Sequence, residues 1–144
     1  MVGPSSSHTA GACQIGYVAN KLIGGIPEDV KIYLHGSFAE TWKGHGTDVA
    51  ILAGLLGMKP DDPRIPEAYQ IAGNENMRYE FDTVDLGADI HPNSVKMVLK
   101  KQGKSLTLVG SSIGGGNIRI VEINGIEAGF SGKRPMIIII NEDK

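Results

Sequence analysis

The chain has 144 residues, a mass of 15.3 kDa, a net charge of −2 and a pI of about 6.1. With 41% hydrophobic and 21% charged residues it has the composition of a globular domain with room for one core, and no basic excess that would mark a nucleic-acid or anionic-membrane surface. A single cysteine, Cys13, excludes an internal disulfide framework, a CxxC zinc site and an iron–sulfur cluster held by this chain alone.

Taken in chain order, Ser5-Ser6-Ser7 follows Pro4 and precedes Gly11, Ile15, Val18 and Leu22, whose spacing of four, three and four marks one helix face. Ser7 is placed to cap this helix, and Gly24-Gly25 with Pro27 stops it. Val30, Ile32 and Leu34 alternate with Lys31, Tyr33 and His35, which predicts a half-buried strand. Residues 49–56 are apolar nearly all round and predict a central helix, capped by Thr47 or Asp48 and ended by Gly57 and Pro60. A weaker helix is expected over 66–76. Residues 78–84, 94–100, 105–109, 118–123 and 126–130 read as strands, with Asn124-Gly125 as a tight hairpin. The fold class is therefore α+β: N-terminal helices around a strand, then a mainly antiparallel sheet. Residues 131–135 read as a linker, and 136–140 as a strand that opens a further, cut-off element.

The N-terminus lacks a basic stretch followed by an apolar run, and the apolar windows at 49–58 and 136–140 are far short of the ~20 residues that span a bilayer. A soluble, cytoplasmic protein is expected.

Polar residues gather in glycine-rich stretches. Gly3-Pro4-Ser5-Ser6-Ser7-His8-Thr9 sits at a helix start, where free N–H groups and the dipole favour an anion. Capping needs one serine, and a row of hydroxyls followed by His8 favours an anion site over a plain cap. His35-Gly36-Ser37 lies just past a strand, with His35 on the face opposite Val30, Ile32 and Leu34; a lone histidine at a strand end is more often a surface or hydrogen-bonded residue, so taken alone it is a weak signal. Gly44-His45-Gly46-Thr47-Asp48 begins a helix with two glycines that permit close approach of a ligand, although His45 and Asp48 could equally form a local cap. Gly110-Ser111-Ser112-Ile113-Gly114-Gly115-Gly116-Asn117 lacks the Lys-Ser/Thr of a Walker loop and is followed by a strand, so it reads as a bend between strands. His91-Pro92-Asn93 reads as a turn. No metal-ligand spacing appears among His8, His35, His45 and His91, and Cys13 reads as a buried hydrophobe.

In combination these segments resemble the β subunit or β domain of bacterial iron–sulfur-dependent L-serine dehydratases. The resemblance rests on Gly-Pro-Ser-Ser-Ser-His-Thr-Ala-Gly-Ala at 3–12, His-Gly-Ser-Phe-Ala at 35–39, Lys-Gly-His-Gly-Thr-Asp at 43–48, His-Pro-Asn at 91–93 and Gly-Ser-Ser-Ile-Gly-Gly-Gly-Asn-Ile at 110–118, in order and spacing. It covers residues 3 to about 133. The family usually has a short segment before Gly-Pro, and Glu40-Thr41-Trp42 departs from the commoner glycine-containing form. Residues 134–144 look like a linker and the first strand of an ACT-like domain, so the chain reads as a β domain over 1–133 trimmed at both ends.

The resemblance implies loss of water from L-serine, giving pyruvate and ammonia, with a 4Fe–4S cluster whose ligands lie on an α part and no PLP. It implies an α subunit as partner and a homodimer. The chain would then be inactive alone. The chemistry needs a base for a weakly acidic α-proton and a Lewis acid for a poor leaving group. By motif match His35 is the base, with His8 and His45 as relay or orienting groups. Ser5, Ser6, Ser7 and Thr9 would hold the carboxylate, and Ser37, Thr47 and Asp48 the ammonium or the histidines. The competing reading is a regulatory small-anion or amino-acid binding and dimerisation domain, similar in fold to the allosteric substrate-binding domain of some phosphoglycerate dehydrogenases; the Ser-Ser-Ser-His-Thr and His-Gly-Ser segments argue against it, because a sensor does not need them.

Overall fold

A computed structural model describes residues 6–41, 46–114, 116–124 and 126–127, with side chains described except at 6–8, 41 and 126–127. The predicted strand residues 128–130 and the linker and strand expected over 131–144 lie outside the described residues.

Helix α1 (Ser6–Ile23) is followed by strand β1 (Asp29–Gly36), the short helix α2 (Ser37–Thr41) and helix α3 (Thr47–Leu55). A 3-10 turn at Ile65–Glu67 runs into α4 (Ala68–Asn74). Strands β2 (Arg78–Val84), β3 (Asn93–Lys101), β4 (Lys104–Gly114), β5 (Asn117–Ile123) and β6 (Ile126–Glu127) follow. The sheet order is β2-β1-β3-β4-β5-β6. β1 and β2 are parallel, as they must be when helices carry the chain back across the sheet. Every other neighbouring pair is antiparallel. The α+β reading holds, and the first strand proves to be part of the same sheet as the later ones.

The helices cover one face of that sheet. Val30, Ile32 and Leu34 of β1, Val95, Met97 and Leu99 of β3, and Leu106 and Leu108 of β4 lie on this face in register, and all are buried in the one hydrophobic core that also takes in Ile15 of α1 and Ile51 and Leu52 of α3. Sequence periodicity produced this directly: alternate apolar residues share a face in a strand. The tight hairpin is also as expected, with Ile123 paired to Ile126 and Asn124 at φ 53°. α3 ends in a Schellman pattern, with Gly57 N–H donating to Gly54 O at 2.8 Å and Met58 N–H to Ala53 O at 3.0 Å, and Gly57 at φ 96° where a side chain would be strained.

Three local expectations are corrected. Ser7 is not the cap of α1; the helix begins at Ser6, so Ser7 lies inside its first turn. Neither Thr47 nor Asp48 caps α3, whose cap position is Gly46 at φ 85° with no side-chain cap bond. Thr47 is already helical there, and the Asp48 carboxylate is taken up by Tyr69. The glycine-rich 110–117 stretch is not a bend throughout. β4 runs to Gly114, because Gly110 and Ser112 face α1 and need to be small rather than to turn.

Candidate functional site

The convergence of the polar segments follows from how α1 packs. A Cβ on Gly16 would stand 2.5 Å from Ile51 O, and one on Gly54 would collide with the carbonyl of Cys13 and come 2.6 Å from Tyr17 N. The two helix backbones therefore touch, and they run parallel: Thr9 meets Gly46, Gly16 meets the turn at 51–55, and Asn20 Nδ2 donates to Leu55 O at 2.7 Å. Parallel packing sets their N-termini side by side, so their positive dipole ends reinforce each other. α1 lies across β4 in the opposite sense, with Ile15 over Gly110, Gly11 over Ser112 and Ala10 near Gly116. The start of α1 thus stands over the end of β4. Ser111 pairs with Ser94 at the start of β3, and Ser94 with His35 at the end of β1. One end of the fold therefore collects the starts of α1 and α3, the end of β1, the start of β3 and the end of β4.

His35 is on the sheet face opposite the helices, as the alternation predicts, yet it is 7% exposed because residues 85–92 fold over it. Leu86 N–H donates to its Nδ1 at 2.9 Å, which makes Nδ1 the unprotonated nitrogen. Nε2 then carries the hydrogen and points it at Ile90 O, 3.3 Å away. Both ring nitrogens are engaged by main chain 51 and 55 residues on. The same connection is pinned by Ser37 N–H to Pro92 O at 2.8 Å and by Ser94 Oγ, which donates to His91 O and lies 2.6 Å from Ser111 Oγ. Gly36 is required here: at φ 63° it passes so close to Pro92 that a Cβ would overlap its backbone. The His91-Pro92-Asn93 turn is as expected, with Asn93 N–H donating to His91 Nδ1 at 3.0 Å.

The predicted site residues distribute as follows. Ser6, Ser7 and His8 occupy the first turns of α1 by their backbone, and Thr9 follows them. Ser5 and His45 lie outside the described residues. His35 and Ser37 sit at the β1–α2 junction, and Thr47 and Asp48 in the first turn of α3. Thr47 is fully buried and its Oγ1 has no hydrogen-bond partner. Asp48 Oδ2 accepts from Tyr69 Oη at 2.6 Å, and burial first, with this contact second, pushes the phenol well above its ordinary range. Tyr69 in turn stands edge-on to Tyr79, with centroids 5.6 Å apart.

Sequence reasoning missed Tyr69 and the buried pair Ser94 and Ser111. Tyr69 carries no motif; Ser94 and Ser111 become neighbours only through strand register. Asn93, the last residue of the expected turn, also keeps its Oδ1 buried without a partner.

The residues of this chain do not fit an iron–sulfur cluster. Cys13 is the single thiol, fully buried, donating to Met58 O at 3.4 Å, and burial pushes its pKa up to about 12. Among the described residues, no three His, Cys, Asp or Glu side chains gather as a metal site. Cys13 should accordingly resist thiol reagents at pH 8 in the native protein and react fully once unfolded; rapid native labelling would contradict its placement. Its ionisation also opposes the fold: from the unfolded thiol's value near 9.0 up to about 12, the unfolded chain gives up a proton that the folded one keeps, so stability falls as pH rises. No helix among the described residues is long and apolar enough to cross a membrane.

Comparison with known proteins shows the family of the chain. Residues 1–122 match the family model described as serine dehydratase beta chain. The chain is 49% identical to the L-serine dehydratase, beta chain, of Peptoniphilus asaccharolyticus over 140 residues, which is 96% of this chain and 63% of that protein. It is 49% identical to the probable L-serine dehydratase, beta chain, of Bacillus subtilis (strain 168) over 144 residues, 100% of this chain and 65% of that protein. An L-serine dehydratase of Mycobacterium bovis is 32% identical over 165 residues, covering 96% of this chain and 34% of that one. The chain thus spans a little under two thirds of the length of the two beta chains. With the family's model matched over 122 of its residues, the chain belongs to the serine dehydratase beta chain family.

Proposed function

We propose that this chain is the β part of an L-serine dehydratase, acting with an α part on L-serine to give pyruvate and ammonia. The observation that supports this most is the convergence of its polar segments on one end of the fold, where the N-termini of α1 and α3 lie side by side. Such an end attracts a carboxylate. Ser6, Ser7 and Thr9 at the start of α1, together with Ser5 next to them in the sequence, hold it, and Ser37, Thr47 and Asp48 bind the ammonium or fix the histidines. A 4Fe–4S cluster held by the α part would supply Lewis acidity at the serine hydroxyl; this chain supplies binding and proton handling.

His35 is the base in this reading, and His8 and His45 relay or orient. Its resting bonds put a condition on that role. Nδ1 takes a proton only when Leu86 N–H leaves it, so proton abstraction is coupled to a shift of residues 85–92.

The test is anaerobic co-expression of the full-length β chain with a cysteine-bearing α part, followed by a serine-to-pyruvate assay. Pyruvate formation that needs both chains is the expected result. A loaded complex that leaves L-serine unchanged overturns the proposal.

A further inference from the structure

Residues 1–20 and 105–118 contain no Asp, Glu, Lys or Arg, although 21% of the whole chain is charged. The fold brings described parts of these two stretches together: Gly11 lies over Ser112, and the Cβ position of Gly116 is 3.7 Å from Ala10. The end that collects the polar segments is therefore framed by serine, glycine and main chain, with no carboxylate, ammonium or guanidinium from either stretch. Depletion of charged residues is what sets the centre of a protein–protein interface apart from the rest of a surface.

The hairpin of β4 and β5 stands out from this end. β3 pairs with β4 only as far as Ser94 and Ser111, while β4 runs on to Gly114 with β5 alone beside it. Its last residues thus form a two-stranded ribbon that reaches past the rest of the sheet. Gly114 holds φ 106° and Gly116 φ 80°, conformations in which a side chain would be strained. Nothing lies within 4 Å of a Cβ on Gly114, so that side of the tip stands clear, whereas Gly116 rests on α1.

The neighbours of Ile113 are used within this chain. Gly110 makes room for Ile15, Ser111 Oγ lies 2.6 Å from Ser94 Oγ, Ser112 packs under Gly11, and Ile118 is in the core. Ile113 itself is 47% exposed. Apolar side chains scattered singly over a surface are ordinary. The other two large exposed ones among the described residues, Tyr69 and Tyr79, stack edge-on against each other. Ile113 differs by its place: it crowns a protrusion shaped by positive-φ glycines, on the uncharged end of the fold. In the proposed function that end takes the substrate, while the residues of this chain do not fit the cluster. The partner that carries the cluster has to close over the end from which Ile113 projects.

We propose that Ile113, at the tip of the β4–β5 hairpin, is an anchor by which this chain docks onto the α part, its side chain seated in an apolar recess of that part beside the shared site. The inference rests on the proposed function and gives it a contact surface: the start of α1 and the hairpin, with Ile113 as the apolar contact. Covering this surface buries apolar area and desolvates no charge of either stretch, so association gains the hydrophobic term without the usual penalty.

The experiment uses the full-length β chain and its α part, purified separately under anaerobic conditions, with their affinity measured by calorimetry. Ile113 lies outside the core, so the β chain alone should keep its melting temperature in Ile113→Ser and Ile113→Glu. The Kd for the α part should rise about tenfold in Ile113→Ser and about 100-fold or more in Ile113→Glu, which puts a charge into the recess. Ile113→Val should stay within about fivefold of wild type. Pyruvate formation by Ile113→Ser should fall when both parts are dilute and recover when the α part is in excess. Ile113→Glu binding the α part as tightly as wild type overturns the inference. So does a lowered melting temperature of the β chain alone in both variants, which would make Ile113 a support of its own fold. A β chain that passes from dimer to monomer on Ile113→Glu yet binds the α part normally would put a second copy of this chain on the tip, and overturns it as well. If the wild-type parts assemble and convert L-serine while the variants assemble equally well, only the inference fails. If the wild-type parts neither assemble nor convert L-serine, the proposed function fails and the inference with it.

Discussion

His35→Ala is expected to abolish most turnover in the complete enzyme and to weaken the fold at the same time. The ring fills a site that is 7% exposed and bonds Leu86 N–H and Ile90 O, so its removal strands a donor and an acceptor and leaves a void. A loss of about 2–4 kcal/mol of stability is the expected scale. Loss of a general base typically costs about 10²–10⁴-fold in rate. Both effects in one variant do not say which role dominates, and His35→Gln separates them. Glutamine can both accept from Leu86 and donate to Ile90, so stability should largely return. If His35 is the base, turnover measured anaerobically stays down by about 100-fold or more. Turnover that returns together with stability would make His35 a residue that positions the 85–92 connection, and would move the base to His8 or His45.

Gly54→Ala should be the most damaging small substitution in the helical layer. Its Cβ would meet the Cys13 carbonyl and Tyr17 N, all main chain of α1, so no side chain can swing aside. Overpacking of side chains usually costs about 1–3 kcal/mol, and a backbone-to-backbone clash should exceed that, near 4 kcal/mol or more. Urea denaturation of the full-length β chain measures it. Gly73→Ala is the control: nothing lies within 4 Å of its Cβ position, so in α4 it should be neutral or stabilise by up to about 1 kcal/mol. Equal stability of the two variants would mean that α1 and α3 do not touch as described. The parallel alignment that brings the polar segments together depends on that contact, so a partly folded Gly54→Ala protein should also lose any response to L-serine.

Much of this was legible in the residues themselves. The alternation at 30–34, the apolar run at 49–56 and the Asn124-Gly125 turn each carry a period or a backbone demand that local physics turns into one structure. The glycine-rich segments stood out for the same reason. Their purposes were less readable, since glycine serves a turn or a close approach equally well. Gly57 and Gly36 sit at positive φ, whereas Gly110, read as part of a bend, stays in strand and makes room for Ile15.

By itself, then, the sequence determined the element types, most of the core residues and which segments are rich in glycine and polar side chains, because these depend on neighbours along the chain. The tertiary structure alone decided which face and which partner each polar group received. Strand register put Ser94 against Ser111, the fold of residues 85–92 engaged both nitrogens of His35, Tyr69 took the carboxylate of Asp48, and Thr47 Oγ1 and Asn93 Oδ1 were left buried and unpaired. Hydrogen-bond satisfaction is settled between residues tens of positions apart, and no local pattern encodes it.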